Sequence, residues 1–324
     1  MANEALTTNV LNYSGVLRTK SDDTTRFLDA IFTRGKKRGR GITSTGVRKV
    51  NSIEFDLSSP FTIGEGSQPA ITEEGSLSAA FSAPITRNQE KNNIQIFQDA
   101  VAVSYLKQSA VGTLAGLNIA GQESNVQNEF DFQVAGKLAQ MKKSLNFTAL
   151  NGVKQESSGS TNAWKSGGLI NGIVTNAATY TGTINTKTFN AAIVEAMKHG
   201  FVFAGGNMEL WVNPADLEKI NDAYKGETGF GLPQSRTEGG LAITTIMTSF
   251  GMINVDYDAT IPVGTYLLVN MGEMAIAELD VPEKGNWFVE KLDKKGAGIS
   301  GQIYGQAGID YGAEWSHIKF TAGA

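Results

Sequence analysis

The chain of 324 residues contains no cysteine, which excludes disulfide bridges, thiolate metal sites and cysteine nucleophiles. Histidine is nearly as scarce. His199 and His317 are the only two, too few for a histidine-rich metal site or an HExxH protease. Long apolar runs are missing too: stretches such as Tyr266 to Val269 fall far short of the ~20 residues of a membrane helix. The opening MANEALTT lacks the basic region and apolar stretch of a secretory signal. A soluble, intracellular product without a membrane partner is expected. Proline is sparse at 7 residues, whereas glycine is abundant at 37 and spread through the chain, a sign of many turns rather than of a collagen-like repeat.

Catalytic constellations are equally thin. The glycines from Gly226 to Gly231 lack the lysine of a phosphate-binding loop, and no G-x-S-x-G elbow occurs. Asp256 and Asp258 have the spacing of two calcium ligands, but no glycine or distal glutamate follows, so they read as a strand-end turn. His199 falls at a predicted helix C-terminus and His317 on a terminal strand, both structural readings. No cofactor, metal or enzymatic activity is expected.

The chain does carry an uneven charge. Residues 1–49 hold ten lysines and arginines against four acidic residues, for +6, and the remainder is −10, giving −4 overall. Most of the excess sits in RGKKRGRG (Arg34 to Gly41), where Arg34, Lys36, Lys37, Arg38 and Arg40 alternate with glycine. Such a run is expected to be flexible and to seek anions, either nucleic acid or an acidic surface.

Periodicity sets the organisation. Residues 1–50 read as an arm whose short amphipathic piece (Phe27, Leu28, Ile31, Phe32) needs an outside surface to lie on. Ile53, Phe55 and Leu57 alternate with Glu54 and Asp56, a half-buried strand. Residues 51–97 form a long two-stranded excursion with an irregular acidic tip (Glu65, Glu73, Glu74), too poor in core to stand alone. Val126, Phe130, Val134, Leu138, Met141 and Leu145 recur at helical spacing, predicting a helix over 122–150 with Ser124 and Gln127 as a capping box. A Ser/Gly-rich segment around Ser157–Ser160 leads into an α/β stretch. It has a helix over 189–199 capped by Thr188, a strand over 208–212 and a helix opened by Asn213-Pro214. Short strands then follow to residue 279, and about three more between Trp287 and Phe320.

This order of parts resembles the major capsid (head) protein of tailed bacteriophages, the Hong Kong 97 capsid fold, and covers nearly the whole chain. The carrying residues are NEFDFQVAGKLAQMKKSLNFTALNG (Asn128 to Gly152), similar to the spine helix of those proteins, MELWVNPADLEKI (Met208 to Ile220) and GQAGIDYGAEWSHIKF (Gly305 to Phe320). The resemblance implies an α+β fold with an N-terminal arm (1–50), an extended E-loop (51–97) and a P-domain (98–167) containing the spine helix. It further implies an A-domain (168–280) and returning P-domain strands (281–324). It also implies a non-enzymatic subunit that assembles as hexamers and pentamers into an icosahedral shell around double-stranded DNA, bound without sequence specificity. A separate scaffolding protein and a portal would serve assembly in the bacterial cytoplasm, and the product would reside in the virion capsid. Arg34, Lys36, Lys37, Arg38 and Arg40 would then meet DNA or a neighbouring subunit, and Glu65, Glu73 and Glu74 would lie between subunits. The alternatives are another phage structural protein of tail or baseplate, or a DNA-binding protein using the basic arm. Against the latter, the rest of the chain is net acidic and offers no basic recognition helix.

Overall fold

A computed structural model describes residues 25–37, 41–61, 63, 66, 68–78, 84–109, 129–159, 161–182, 184–225, 245–293 and 296–323. Helix α1 (Arg26–Arg34) leads to strands β1 (Ile42–Ser44), β2 (Val47–Val50) and β3 (Glu54–Ser58). Strands β4 (Glu90–Asn93) and β5 (Gln95–Ser104) precede the short α2 (Tyr105–Ser109). Next come α3 (Glu129–Asn151), α4 (Leu169–Gly172), β6 (Ala177–Tyr180), α5 (Thr186–Lys198), β7 (Met208–Val212) and α6 (Pro214–Lys225). Strands β8 (Thr245–Thr248), β9 (Gly251–Tyr257), β10 (Thr265–Asn270) and β11 (Ala275–Leu279) follow. The last are β12 (Phe288–Lys291), β13 (Gly298–Asp310) and β14 (Ile318–Ala322).

The first sheet is built on β13, whose 13 residues span about 43 Å at ~3.3 Å each. One edge pairs antiparallel with β5 from Gly298↔Ser104 to Ala307↔Gln95. The other edge takes β12 and then β11, and β11 continues the sheet to β2 and β1. Alternation on β5 turns Phe97, Val101 and Val103 inward and Ile96, Gln98 and Ala100 outward. The inward face is covered by α3, which rests on β5 and β13 and is about 35 Å long at 1.5 Å per residue. Phe130 of α3 packs over Gly301, where a Cβ would stand 2.7 Å from its ring, and Trp287 covers Gly305 at 2.3 Å. The glycines of β13 are thus seats for aromatic rings.

The buried face of α3 runs through Phe130, Val134, Met141, Leu145 and Ala149, but Leu138 remains 37% exposed, a correction to the expected stripe. Successive steps of four drift by roughly 40° each around a 3.6-residue helix, which carries Leu138 off the face. Residues 122–128, with the expected capping box, lie outside the described residues.

The second sheet has the order β6-β14-β10-β7-β9-β8. Strand β7, MELWV, is buried at all five positions, as a central strand covered on both faces must be. Helix α5 sets Phe189 edge-on to Phe320 at 5.2 Å and adds Ile193 and Ala196 to the same core. Its cap is Asn185, which accepts the Thr188 N–H at 3.0 Å, so the helix opens three residues before the expected start. Asn213 accepts the Ala215 N–H at the start of α6, the cap-plus-proline arrangement read from sequence.

Sheet membership does not follow the boundary expected at residue 280. Strand β11 lies before it yet joins the first sheet, and β14 lies after it yet joins the second between β6 and β10. The amphipathic piece near the N-terminus also has its partner within the chain. Phe27, Leu28 and Ile31 are fully buried in the main core, with Phe27 edge-on to Trp211 at 5.0 Å. Burying side chains of that size is worth about 1.5–3 kcal/mol each, enough to hold a nine-residue helix that would not form alone.

Candidate assembly surfaces

Strands β3 and β4 form the two-stranded stem of the excursion, paired from Glu54↔Asn93 to Ser58↔Glu90 and extended by a bridge between Phe61 and Arg87. Phe55 and Leu57 are buried at its root. Beyond the root the described apolar residues turn to solvent: Phe61, Ile63, Ile71 (73% exposed), Leu77 (86%) and Ile85. Five large apolar side chains on this one excursion are thus left uncovered by the chain's described residues. Glu73 and Glu74 lie between Ile71 and Leu77 and are exposed, while Glu65 lies outside the described residues.

The root of this stem is clamped by two asparagines that pattern analysis passed over. Asn92 is fully buried, donates to the carbonyls of Gly167 (2.9 Å) and Ile309 (2.7 Å), and accepts from the Gly167 N–H (2.8 Å). Asn93 is also buried and donates to the Gln155 carbonyl at 3.0 Å. Asparagine is depleted in strands, so the pair in KNN was itself a signal of side chains engaged with backbone.

The structure redistributes the basic run. Arg34 closes α1 and pairs with Glu209 (3.1 Å) and Asp256 (3.2 Å). Lys36 lies 3.6 Å from Asp310 and 3.9 Å from Glu273. Lys37 is exposed, and Arg38 and Arg40 lie outside the described residues. The pairing extends to neighbouring cations. Arg26 binds Asp256 (3.1 Å) and stacks on Tyr257 (4.0 Å), Arg48 joins Asp310 (2.9 Å) to Asp56 (2.7 Å), and Lys49 meets Glu278 and Asp280. The run was expected to be uncommitted, but Arg34 and Lys36 serve carboxylates of their own chain. Glu209 and Asp310 are nearly or fully buried, and an unpaired charge there would be costly. Burial pushes the Glu209 carboxyl above its ordinary range, against the pull of Arg34.

The remaining titratable candidates are structural. Asp258 is fully buried and accepts from the Phe27 N–H (3.0 Å) and Asn146 Nδ2 (3.0 Å), while Asn146 Oδ1 accepts from the Leu28 N–H (2.9 Å). Together they cap the amino end of α1 from two distant elements. His199 stands exposed at the carboxyl end of α5. His317 is fully buried: Nδ1 accepts the Asn270 N–H (3.2 Å), so Nε2 carries the proton to the Tyr311 carbonyl (2.7 Å). Its pKa is pulled down to about 4 by burial. Among the described residues no cluster of three metal-ligating side chains occurs. No helix among them is long and apolar enough to cross a membrane.

Solved structures share this architecture over almost their full lengths at low identity. The holo-SrpI encapsulin complex of Synechococcus elongatus PCC 7942 superposes with a TM-score of 0.58 at 10% identity, over 96% of this chain and 92% of that one. The Cyanophage A-1(L) capsid gives 0.58 at 13% identity, over 97% and 98%. The capsid of Myoviridae Phage XM1 gives 0.56 at 10%, over 99% and 100%. The fold is therefore the α+β Hong Kong 97 type. No curated protein matches the sequence. The family model for the SU10 major capsid protein matches residues 1–323, and the chain belongs to that family: it is a major capsid protein, a structural subunit of the bacteriophage virion.

Proposed function

We propose that this subunit closes an icosahedral shell, as hexamers and pentamers, around double-stranded DNA, with residues 51–97 acting as an E-loop that lies on a neighbouring subunit. The observation that carries the reading is the set of uncovered apolar side chains on that excursion, Phe61, Ile63, Ile71, Leu77 and Ile85. Contacts of this kind hold obligate assemblies, whose interfaces exceed about 2,000 Å². The work of the chain is association rather than catalysis. Residues 98–167 serve as the P-domain and 168–280 as the A-domain, with the sheet exchange of β11 and β14 tying them together. A separate scaffolding protein and a portal complete the assembly.

Arg34 and Lys36 are committed within the chain. The reading assigns Lys37, which is exposed, together with Arg38 and Arg40, to DNA or to Glu65, Glu73 and Glu74 of another subunit. The two partners differ in timing, because DNA acts only after packaging. A variant with Lys37, Arg38 and Arg40 changed to Gln is expected to form empty shells of lowered salt tolerance. Unaltered empty shells would leave DNA as the partner. The shell reading itself is tested by chromatography and negative-stain microscopy of the purified chain with its scaffolding partner. Closed shells or capsomer-sized rings are expected, and a monomer at high concentration would contradict it.

A further inference from the structure

Residues 26–37 and 41–50 touch both sheets, and they hold them by different means. On the first sheet the hold is main-chain: β2 pairs in parallel with β11 from Val47↔Ile276 to Val50↔Leu279, and the Lys36 N–H donates to the Met274 carbonyl at 2.8 Å. Arg48 reinforces it through the buried Asp310. On the second sheet the hold is almost wholly side-chain. Helix α1 presses Phe27 on Trp211 of β7, its amino end is capped by Asp258, and Arg26 and Arg34 reach Asp256 of β9 and Glu209 of β7.

We infer that residues 26–37 and 41–50 act as a strap that fixes the angle between the two sheets, anchored by strand pairing on the first and clipped by α1 and its two arginines onto the second. The physical reason lies in what each contact demands. Apolar burial is non-directional and does not by itself demand one donor at one angle. A buried carboxylate does, because it must keep a donor at hydrogen-bond distance or remain charged and unpaired. Glu209 is buried beside Trp211, which also donates to it at 3.1 Å, so the Arg34 guanidinium can satisfy it only when α1 sits at one position over β7. Asp256 then serves both arginines from the adjacent strand, which fixes the rotation of the helix as well as its place. The charge asymmetry of the sequence is thereby given a use inside the subunit: a positive segment pairs with carboxylates of both sheets.

The absence of cysteine makes the test direct. Cysteines placed at Val289 on β12 of the first sheet and Met247 on β8 of the second, both exposed, carry spin labels for distance measurement on the unassembled subunit. The parent chain is expected to give one narrow distance distribution. Arg26→Gln with Arg34→Gln is expected to broaden or shift it while the circular dichroism stays native, and Lys187→Gln, on an exposed cation of α5, is expected to leave it unchanged. A folded double variant with the parent distribution would overturn the strap. Should that variant fail to fold, Arg34→Gln alone and the parent chain in molar salt provide the reading. There the screening length falls to about 3 Å and the half-exposed Arg34 pairs weaken first. An unchanged distribution in both would overturn the inference equally. Because every measurement is made on free subunits, its outcome is separate from that of shell closure.

Discussion

His317 shows how a single residue couples to solution conditions without taking part in function. Its burial between the Asn270 N–H and the Tyr311 carbonyl keeps the ring neutral, with a pKa of about 4 in place of the ordinary 6.5. The unfolded chain takes up this proton first as pH falls. Stability from this site is thus complete above pH 6.5 and is lost progressively as pH drops toward 4. The full span is worth at most about 3.5 kcal/mol, at ~1.4 kcal/mol per unit. Chemical unfolding of the parent and of His317→Gln across this interval should show a steeper acid loss in the parent, and parallel curves would contradict the assignment. A structural role for His317 was read from an expected place on a terminal strand, but the residue sits in the bend just before β14. The roles of Asn92, Asp258 and Asp310 were not legible, because their partners lie dozens to hundreds of residues away and no local spacing encodes them.

At the scale of elements, periodicity read well where an element is buried on a constant face and badly where neighbours change along it. Strand β7 was delimited to the residue, since both of its faces are covered. Helix α3 was found, but its face was misjudged at Leu138, where the four-residue steps have drifted outward and the side chain is partly exposed. Toward its carboxyl end α1 and α4 also close in, which is why Asn146, Thr148, Ala149 and Leu150 are all buried. Leu145→Ala is therefore expected to cost the free subunit about 2–5 kcal/mol. Leu138→Ala should cost less than about 1 kcal/mol. Thermal or chemical denaturation of the two variants checks this, and equal losses would show that the mid-helix position is a core position after all. The same contrast explains α1. Its apolar face was visible in the sequence, but the pattern could not say that Trp211 and Met274 of its own chain, rather than a neighbour, complete the core around it.

The whole molecule combines a well-filled body with a projecting element that it cannot cover. The order of parts was enough to indicate the fold, because arm, excursion, long helix and α/β stretch follow one another in a sequence that few architectures share. The charge distribution misled where it was read as outward-facing: most described cations between Arg26 and Lys49 are spent on carboxylates of β7, β9, β11 and β13. The apolar side chains of the excursion remain exposed, and the account rests on their being covered by other subunits. The most direct test replaces Ile71 and Leu77, two largely exposed residues, by Asp and images the product of assembly beside the parent. Since neither residue contributes to the subunit core, the variant is expected to fold and melt as the parent does while failing to close shells. Variant shells in the parent's yield and shape would contradict the claim that the excursion holds the capsid together.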